Sequence, residues 1–234
     1  LHRSGDCTRS GVRHGRLLLL PRSQLSPKVS LNDFYSPQLY EPFSHGEIVV
    51  IKIDTIREET PGHGKVRIRV HAVSVNPIDT YIRSGALASG IQDRYILGCD
   101  ASGIVDSVGD GVQDLKVGDR VWCTNQGLQG RQGTFAELIC IDEAWCYRLP
   151  DQVSFEAGAA CALVGMTAHL GLFREARLQA GETVLCIGGT GGVGSMVVQM
   201  AKASGARVLA TAGSEEKHRR LLELGADVAI NYKQ

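Results

Sequence analysis

Cys186-Ile187-Gly188-Gly189-Thr190-Gly191-Gly192-Val193-Gly194-Ser195, CIGGTGGVGS, places five glycines in ten residues. Glycine loses more backbone freedom on folding than any other residue, so this concentration marks a place where side chains are not tolerated. Just before it, ETVLCI (182–187) is a short continuous apolar run, suited to a strand buried on both faces. After it, Val193, Met196, Val197, Met200 and Ala201 fall at i, i+3, i+4, i+7 and i+8, one face of a helix. ARVLAT (206–211) then reads as a second strand, SEEKHRRLLELG (214–225) as a second helix ended by Gly225, and DVAINY (227–232) as a third strand. The glycines therefore sit at the first turn of a βαβαβ unit.

In that context Gly189, Gly191 and Gly194 form G-x-G-x-x-G. The first glycine is expected to permit the tight turn, the second to let a pyrophosphate approach the backbone, and the third to let helix and strand pack closely. Thr190, Gly192 and Val193 complete the loop, and the helix that follows offers free N–H groups and a partial positive charge to phosphates. The alternative is a glycine-rich turn used only for packing. An NAD site usually carries an acid near the end of the second strand, to hold the ribose 2′-hydroxyl. Here that place reads Thr211-Ala212-Gly213-Ser214, with Lys217 shortly after. A hydroxyl and a lysine suit a 2′-phosphate, so NADPH is favoured. Glu215 and Glu216 count against it, although acids in the first turn of a helix also serve to stabilise it. Lys217 could equally be a solvated helix residue.

Upstream the period changes to two. Val66, Ile68, Val70 and Ala72 alternate with Lys65, Arg67, Arg69 and His71, a half-buried strand. EIVVIKIDTI (47–56) is another strand candidate, and ETPGHG (59–64) supplies turn residues between the two. Further strands are expected around Gly103–Val108, Arg120–Cys123 and Phe135–Ile141, separated by GDGV and GLQGRQG. This half reads as an antiparallel β domain. Near Leu149-Pro150-Asp151 the pattern changes again: Ser154 can cap a helix that runs, Ala-rich, to about Phe173.

The 234 residues are 43% hydrophobic and 21% charged, with zero formal net charge. That composition fits a globular fold, and the charge balance argues against nucleic-acid or membrane-surface binding, both of which draw on a basic excess. No apolar run approaches the roughly 18 residues that span a bilayer. Seven scattered cysteines without a C-x-x-C fit a reducing compartment better than a disulfide framework. Residues 1–30 are basic, nearly acid-free and contain LLLLP. They read as a disordered extension or a targeting peptide. The localisation expected is cytoplasmic, or mitochondrial if that segment is a transit peptide.

VNPIDTYIRSG (75–85), GCDASGIVDSVGDGV (98–112), VGDRV (117–121), GTFAELICI (133–141), LVGMTAHLGL (163–172), GGTGGVGSMVVQMAK (188–202) and GADVAINYK (225–233), in this order and spacing, resemble the zinc-free quinone oxidoreductases of the medium-chain dehydrogenase/reductase superfamily, the group that includes zeta-crystallin. The resemblance covers about residues 47–234. It implies an α/β fold: a GroES-like β-rich catalytic domain (31–163) followed by a Rossmann domain (164–234), with NADPH and substrate in the cleft between them. Only the first half of the doubly wound sheet is expected within these residues, which would leave its first strand at an edge. The chain is therefore expected to be a fragment, marginal in isolation, of a protein that forms a homodimer.

Relatives with catalytic zinc place Cys where this chain has Asn76, His-Glu where it has Cys99-Asp100, and a third ligand near Leu163. Asn and Leu are poor zinc ligands, so no metal is expected. Without one, the cofactor carries the hydride chemistry and the acceptor is a quinone or an α,β-unsaturated carbonyl, whose oxygen gains charge during reduction. The resemblance places Asn76 and Tyr81 toward nicotinamide and acceptor, Tyr81 as donor to the substrate oxygen and Asn76 orienting ring or substrate. Asp79 is expected to fix local structure, or to act as a general acid. Thr167 matches a residue that contacts the nicotinamide carboxamide, and Tyr232 an aromatic near the adenosine phosphate; helix packing and an ordinary strand aromatic are their alternatives. Val164 stands where some bacterial quinone reductases have a lysine. Two other functions fit the same frame: reduction of an enoyl thioester, and non-enzymatic NADPH binding of the crystallin kind.

Overall fold

The computed structural model describes residues 14–16, 55–57, 59–87 and 95–233. The chain divides into two compact units, the first ending at Ala159 and the second beginning at Ala160. In the first, a short antiparallel pair joins β1 (His14–Arg16) to β2 (Thr55–Arg57). The strand expected over 47–56 otherwise lies outside the described residues.

Five strands form the main sheet of the first unit: β3 (Lys65–Ser74), β4 (Asp100–Val108), β5 (Arg120–Cys123), β6 (Leu138–Asp142) and β7 (Cys146–Arg148). Their order is β6-β3-β4-β5-β7, every pair antiparallel. Alternation along β3 buries Val66, Ile68 and Val70 against Val105, Val121, Ile139 and Ile141. On the opposite face Arg67 Nε and Arg69 Nη2 each donate to Asp106 at 2.8 Å. The alternation breaks at a register shift between Val70 and Ala72, a β-bulge across from Gly103. A Cβ on Gly103 would lie 2.1 Å from Arg69 O, so the bulge closes only over glycine. Beyond it the strand is re-aimed, and Ser74 comes opposite Asp100.

The strand expected from Phe135 starts later, at Leu138. The amides of Gly133, Thr134 and Phe135 instead donate to Ile96, Gly98 and Leu97, a separate loop pairing. One helix of this unit, α1 (Pro77–Arg83), was not among the expected elements. At seven residues it is too short for a periodic signal, although proline in its first turn is the usual opening.

Helix α2 (Phe155–His169) starts one residue after Ser154, whose Oγ accepts from Ala157 N at 3.1 Å. A π-helical turn, Leu170–Glu175, extends it past the expected end. Together they make 21 residues, long and apolar enough to cross a membrane by length and composition alone. This corrects the expectation that no such stretch exists: alanines with scattered Leu, Val, Met, Phe and Cys raise the mean hydropathy without forming a continuous apolar run. Gly158, Ala159, Ala162, Gly165, Ala168 and Leu172 are buried along it, a stripe of small residues facing protein.

The second unit continues with β8 (Thr183–Cys186), α3 (Gly192–Ala203), β9 (Arg207–Ala212), α4 (Glu215–Glu223) and β10 (Val228–Asn231). The strands are parallel in the order β10-β9-β8, half of a doubly wound sheet, and Gly225 (φ +104°) ends α4 as expected. Two expectations fail in detail. The fully buried residues of α3 are Val198 and Ala201, while Val193 is exposed. The predicted face is met in part: Ala201 is buried and Val197 and Met200 pack partly buried against the same core, while Val198 joins them from outside the predicted set. Nor is β8 buried on both faces: Cys186 is buried, but Leu185 is 58% and Ile187 81% exposed. Among the described residues no strand pairs with its outer edge.

Two carboxylates contribute to the acid response of the first unit. Glu143 accepts from the amides of Gln113, Asp114 and Leu115, which hold it below its usual range. Burial pushes Asp106 up, but Arg69 and Arg67 outweigh it and its net shift is downward. Depressed carboxylates contribute stability that is full above their unfolded values, about 3.9 and 4.3, and is lost as pH falls through the lower folded ones. The thermal midpoint is expected to drop below about pH 4. Glu143→Gln should lower the midpoint at pH 7 and shrink the acid-induced drop; an unchanged pH profile in that variant would contradict this origin.

Candidate functional site

The glycine loop leaves β8 with Gly188 in the left-handed region (φ +72°). The turn thus needs its glycine at 188, not at 189 as the motif suggests. Gly189 is required for a different reason: a Cβ there would lie 2.7 Å from Leu221 Cδ2 and 2.9 Å from Ala210 Cβ. Gly194 behaves as expected, since its Cβ would fall 2.3 Å from Gly188 O. At Gly191, among the described residues, nothing comes nearer to such a Cβ than Gly188 O at 3.4 Å, an ordinary contact. No atom of the described residues demands glycine there, and Gly191 is exposed, so something else can approach it. Gly191 caps α3, and Ser195 N donates back to Gly191 O at 2.8 Å. The amides of Gly192, Val193 and Gly194 fall in the first turn, where no carbonyl of the helix can reach them. Gly191, Gly192 and Val193 are exposed and Thr190 is half-buried. Val164 comes up against Gly192, where a Cβ would be 3.1 Å from Val164 Cγ1.

Past β9, Ser214 caps α4 and accepts from Lys217 N at 3.3 Å, leaving its hydroxyl proton free to donate outward. Lys217, Glu215 and Glu216 are all exposed. Tyr232 folds back over this turn: a Cβ on Gly213 would be 2.4 Å from its hydroxyl oxygen. Ser214 and Tyr232 are thereby gathered at the end of β9. Thr167, on α2, uses its hydroxyl to donate to Leu163 O at 2.8 Å, the i−4 bond of a helical threonine, with the side chain exposed.

In the first unit, Asn76, Asp79 and Tyr81 belong to α1 and its cap. Asp79 Oδ2 accepts from Asn76 N at 2.7 Å and closes the start of the helix. Asn76 Nδ2 donates to Asp100 Oδ2 at 2.9 Å and to Ser74 Oγ at 3.2 Å. Because a carboxylate only accepts, this bond fixes which end of the amide faces inward. Ser74 Oγ and Thr124 Oγ1 also donate to Asp100, each at 2.7 Å, and Thr134 Oγ1 donates to its main-chain oxygen. Asp100 is 0% exposed. It is the hub of the cluster, and the sequence reading gave it no role beyond a former metal position. Its one signal is an acid inside an otherwise small, apolar strand, GCDASG. Tyr81, by contrast, is 53% exposed, and its hydroxyl has no hydrogen-bond partner among the described residues. Burial raises the Asp79 carboxyl above its usual range; Asn76 N–H and the Cys99 thiol oppose the rise and the Asp100 charge adds to it. Burial and then Asp79 push the Cys99 thiol far up, so it stays protonated at neutral pH.

Residues 62–151 match the alcohol dehydrogenase GroES-like domain family, and residues 192–234 the zinc-binding dehydrogenase family. The chain is 41% identical over 192 residues to the quinone oxidoreductase of Rattus norvegicus, covering 82% of this chain and 57% of the relative. Among solved structures it is similar to the quinone oxidoreductase of Pseudomonas syringae pv. Tomato DC3000 (37% identity, TM-score 0.67), with 78% of this chain and 55% of that one covered. It is also similar to the Escherichia coli quinone oxidoreductase complexed with NADPH (31% identity, TM-score 0.65), over 78% and 55% of the two chains. The two matched families and the relatives named as quinone oxidoreductases are what the chain is similar to in the medium-chain dehydrogenase/reductase superfamily. It spans a little over half the length of the relatives it matches.

The raised Asp79 carboxyl opposes folding once ionised: stability is full below the unfolded value of about 3.9 and is lost as pH rises through the higher folded value. Asp79→Asn keeps an acceptor for Asn76 N and removes the buried charge. Its thermal midpoint at pH 7 is expected to match or exceed that of the wild type by a few degrees. Asp79→Ala leaves the Asn76 amide unpaired and should lose about 1–3 kcal/mol. A midpoint for Asp79→Asn as low as that for Asp79→Ala would contradict this reading.

Proposed function

We propose that the chain is part of an NADPH-dependent oxidoreductase that reduces a quinone or an α,β-unsaturated carbonyl without a metal. The observation that carries the proposal is the open cradle at Gly191, faced by the first-turn amides of Gly192, Val193 and Gly194. It fits a pyrophosphate, whose oxygens accept from those amides and gain from the helix dipole. Ser214, Lys217 and Tyr232 would hold the adenosine end: a hydroxyl donor, a cation and an aromatic at the turn after β9, with no carboxylate at the strand end to repel a 2′-phosphate. The E. coli relative complexed with NADPH supports the same choice.

When bound, the reduced nicotinamide supplies the hydride; the chain's own residues orient and polarise. Tyr81, exposed and with a hydroxyl that has no partner among the described residues, can donate to an acceptor oxygen as charge grows there. The Asn76 amide is turned inward onto Asp100, so its NH2 group is spent and its oxygen is the end left to face a ligand. Thr167 can turn its exposed hydroxyl to a carboxamide at the cost of the bond to Leu163. The positions of a former metal site do not suit zinc. Asn76 offers an amide already engaged with Asp100, and an amide is a poor zinc ligand. Asp100 spends its carboxylate oxygens on Ser74, Asn76 and Thr124.

The full-length protein should oxidise NADPH with a small quinone faster than with an enoyl-CoA, and should prefer NADPH to NADH at least tenfold in kcat/KM. Lys217→Ala should cut that preference roughly tenfold, the value of a charge-assisted contact. Tyr81→Phe should lower kcat by about tenfold to a hundredfold with KM for NADPH unchanged. Faster enoyl-CoA turnover would transfer the assignment to enoyl-thioester reduction. Tight NADPH binding without reduction of either acceptor would favour a non-enzymatic role.

A further inference from the structure

We infer that Thr211 is a positioning residue for the phosphate-binding loop, acting through Gly188. The inference rests on the reading of residues 189–194 as the pyrophosphate site. The ladder between β8 and β9 ends at the pair Cys186–Ala210, so the residues after Cys186 leave the sheet without strand partners to hold them. Thr211 takes over at that point with both of its oxygens. Its Oγ1 accepts from Gly188 N at 3.0 Å, and its main-chain oxygen accepts from Gly189 N at 3.1 Å. These two amides belong to the peptide planes on either side of the Gly188 α-carbon, and holding both planes fixes the left-handed geometry between them.

The plane between Gly188 and Gly189 also carries Gly188 O. That atom accepts from Gly191 N at 3.0 Å and is the one against which Gly194 closes. The geometry of the cradle is thus referred back through Gly188 to one side chain on the neighbouring strand. Any residue at 211 could supply the main-chain acceptor; the Gly188 amide needs a hydroxyl on the β-carbon, which only serine or threonine places there. Valine fills the same volume in a strand and offers no acceptor. It would deprive the Gly188 amide of its protein partner and free the first of the two planes to turn.

The loop meets the part that NADPH and NADH share, so the loss must be equal for both nucleotides. Contacts at Ser214 and Lys217 would instead discriminate between them. The test uses the full-length protein with Thr211→Val and Thr211→Ser, following nucleotide binding by cofactor fluorescence and steady-state kinetics with each nucleotide. Thr211→Val is expected to raise Kd and KM about tenfold for NADPH and NADH alike, with kcat at saturation unchanged, and Thr211→Ser to restore both within about twofold. Wild-type binding by Thr211→Val would overturn the inference and leave the reading of the loop intact. A defect in Thr211→Ser as large as that in Thr211→Val would overturn it too, since the methyl group and not the hydroxyl would then matter. Should the valine variant fail to fold, Thr211→Ala against Thr211→Ser makes the same comparison. Failure of the wild type to bind either nucleotide would bring down the reading and the inference together.

Discussion

The approach of α3 to β8 through Gly188 and Gly194 is the contact from which the second unit is organised. A methyl group on Gly194 would sit inside the carbonyl of Gly188, and one on Gly189 would collide with Leu221 of α4 and Ala210 of β9. Two missing side chains therefore set the spacing of helix, strand and second helix at once. The surrounding core follows the same rule: Ala201, Ala206, Ala210 and Ala212 are buried with Val198, Val208 and Leu221, so backbones approach closely and a few branched side chains fill the gaps. A twelve-residue helix is marginal by itself in water. Held down by these contacts, α3 presents its first-turn amides in a fixed direction, which is what makes its N-terminus usable as a site.

The first unit is controlled by polar satisfaction instead. A fully buried carboxylate is costly unless hydrogen bonds meet it, and Asp100 draws donors from β3, from the cap of α1 and from the loop after β5. This hub ties three separate segments with a few short contacts. It works because the bulge across from Gly103 has already turned Ser74 toward Asp100. The same short helix then holds Asn76 and Asp79 inward while Tyr81 stands in solvent. Rigidity and reactivity are thereby separated over six residues.

Periodicity made much of this legible. The alternation along β3, the strand–glycine–helix order around residue 188 and the glycine stop after α4 each depend on neighbours in sequence, and each is found where the pattern put it. What the pattern could not carry was partnership. Val198 and Val197 are equivalent as residue types, yet the former is fully buried while the latter packs against the same core only partly buried. An apolar run such as VLCI says that burial on two faces is tolerable, not that two covering layers are present. The Asp100 hub joins residues 74, 76, 100, 124 and 134, which no local pattern connects. The exchange of roles between Gly188 and Gly189 has the same source: the motif counts glycines, whereas the backbone decides which of them must turn.

The stretch Thr211–Ser214 shows how closely these demands are interleaved. Strand alternation sends Ala212 into the core, where it is 2% exposed, and leaves Thr211 and Gly213 on the other side. Thr211 serves the glycine loop, Gly213 leaves room for the Tyr232 hydroxyl, and Ser214 caps α4. A slip of β9 by one residue would carry the threonine hydroxyl into an alanine-sized space and set a methyl group against the Gly188 amide. The pairing of β9 with β8 on one side and β10 on the other holds that register over Arg207–Ala210 and Leu209–Ala212. The strand register is therefore itself a determinant of binding, because it decides which of four consecutive residues faces the loop, the core, the aromatic and the helix.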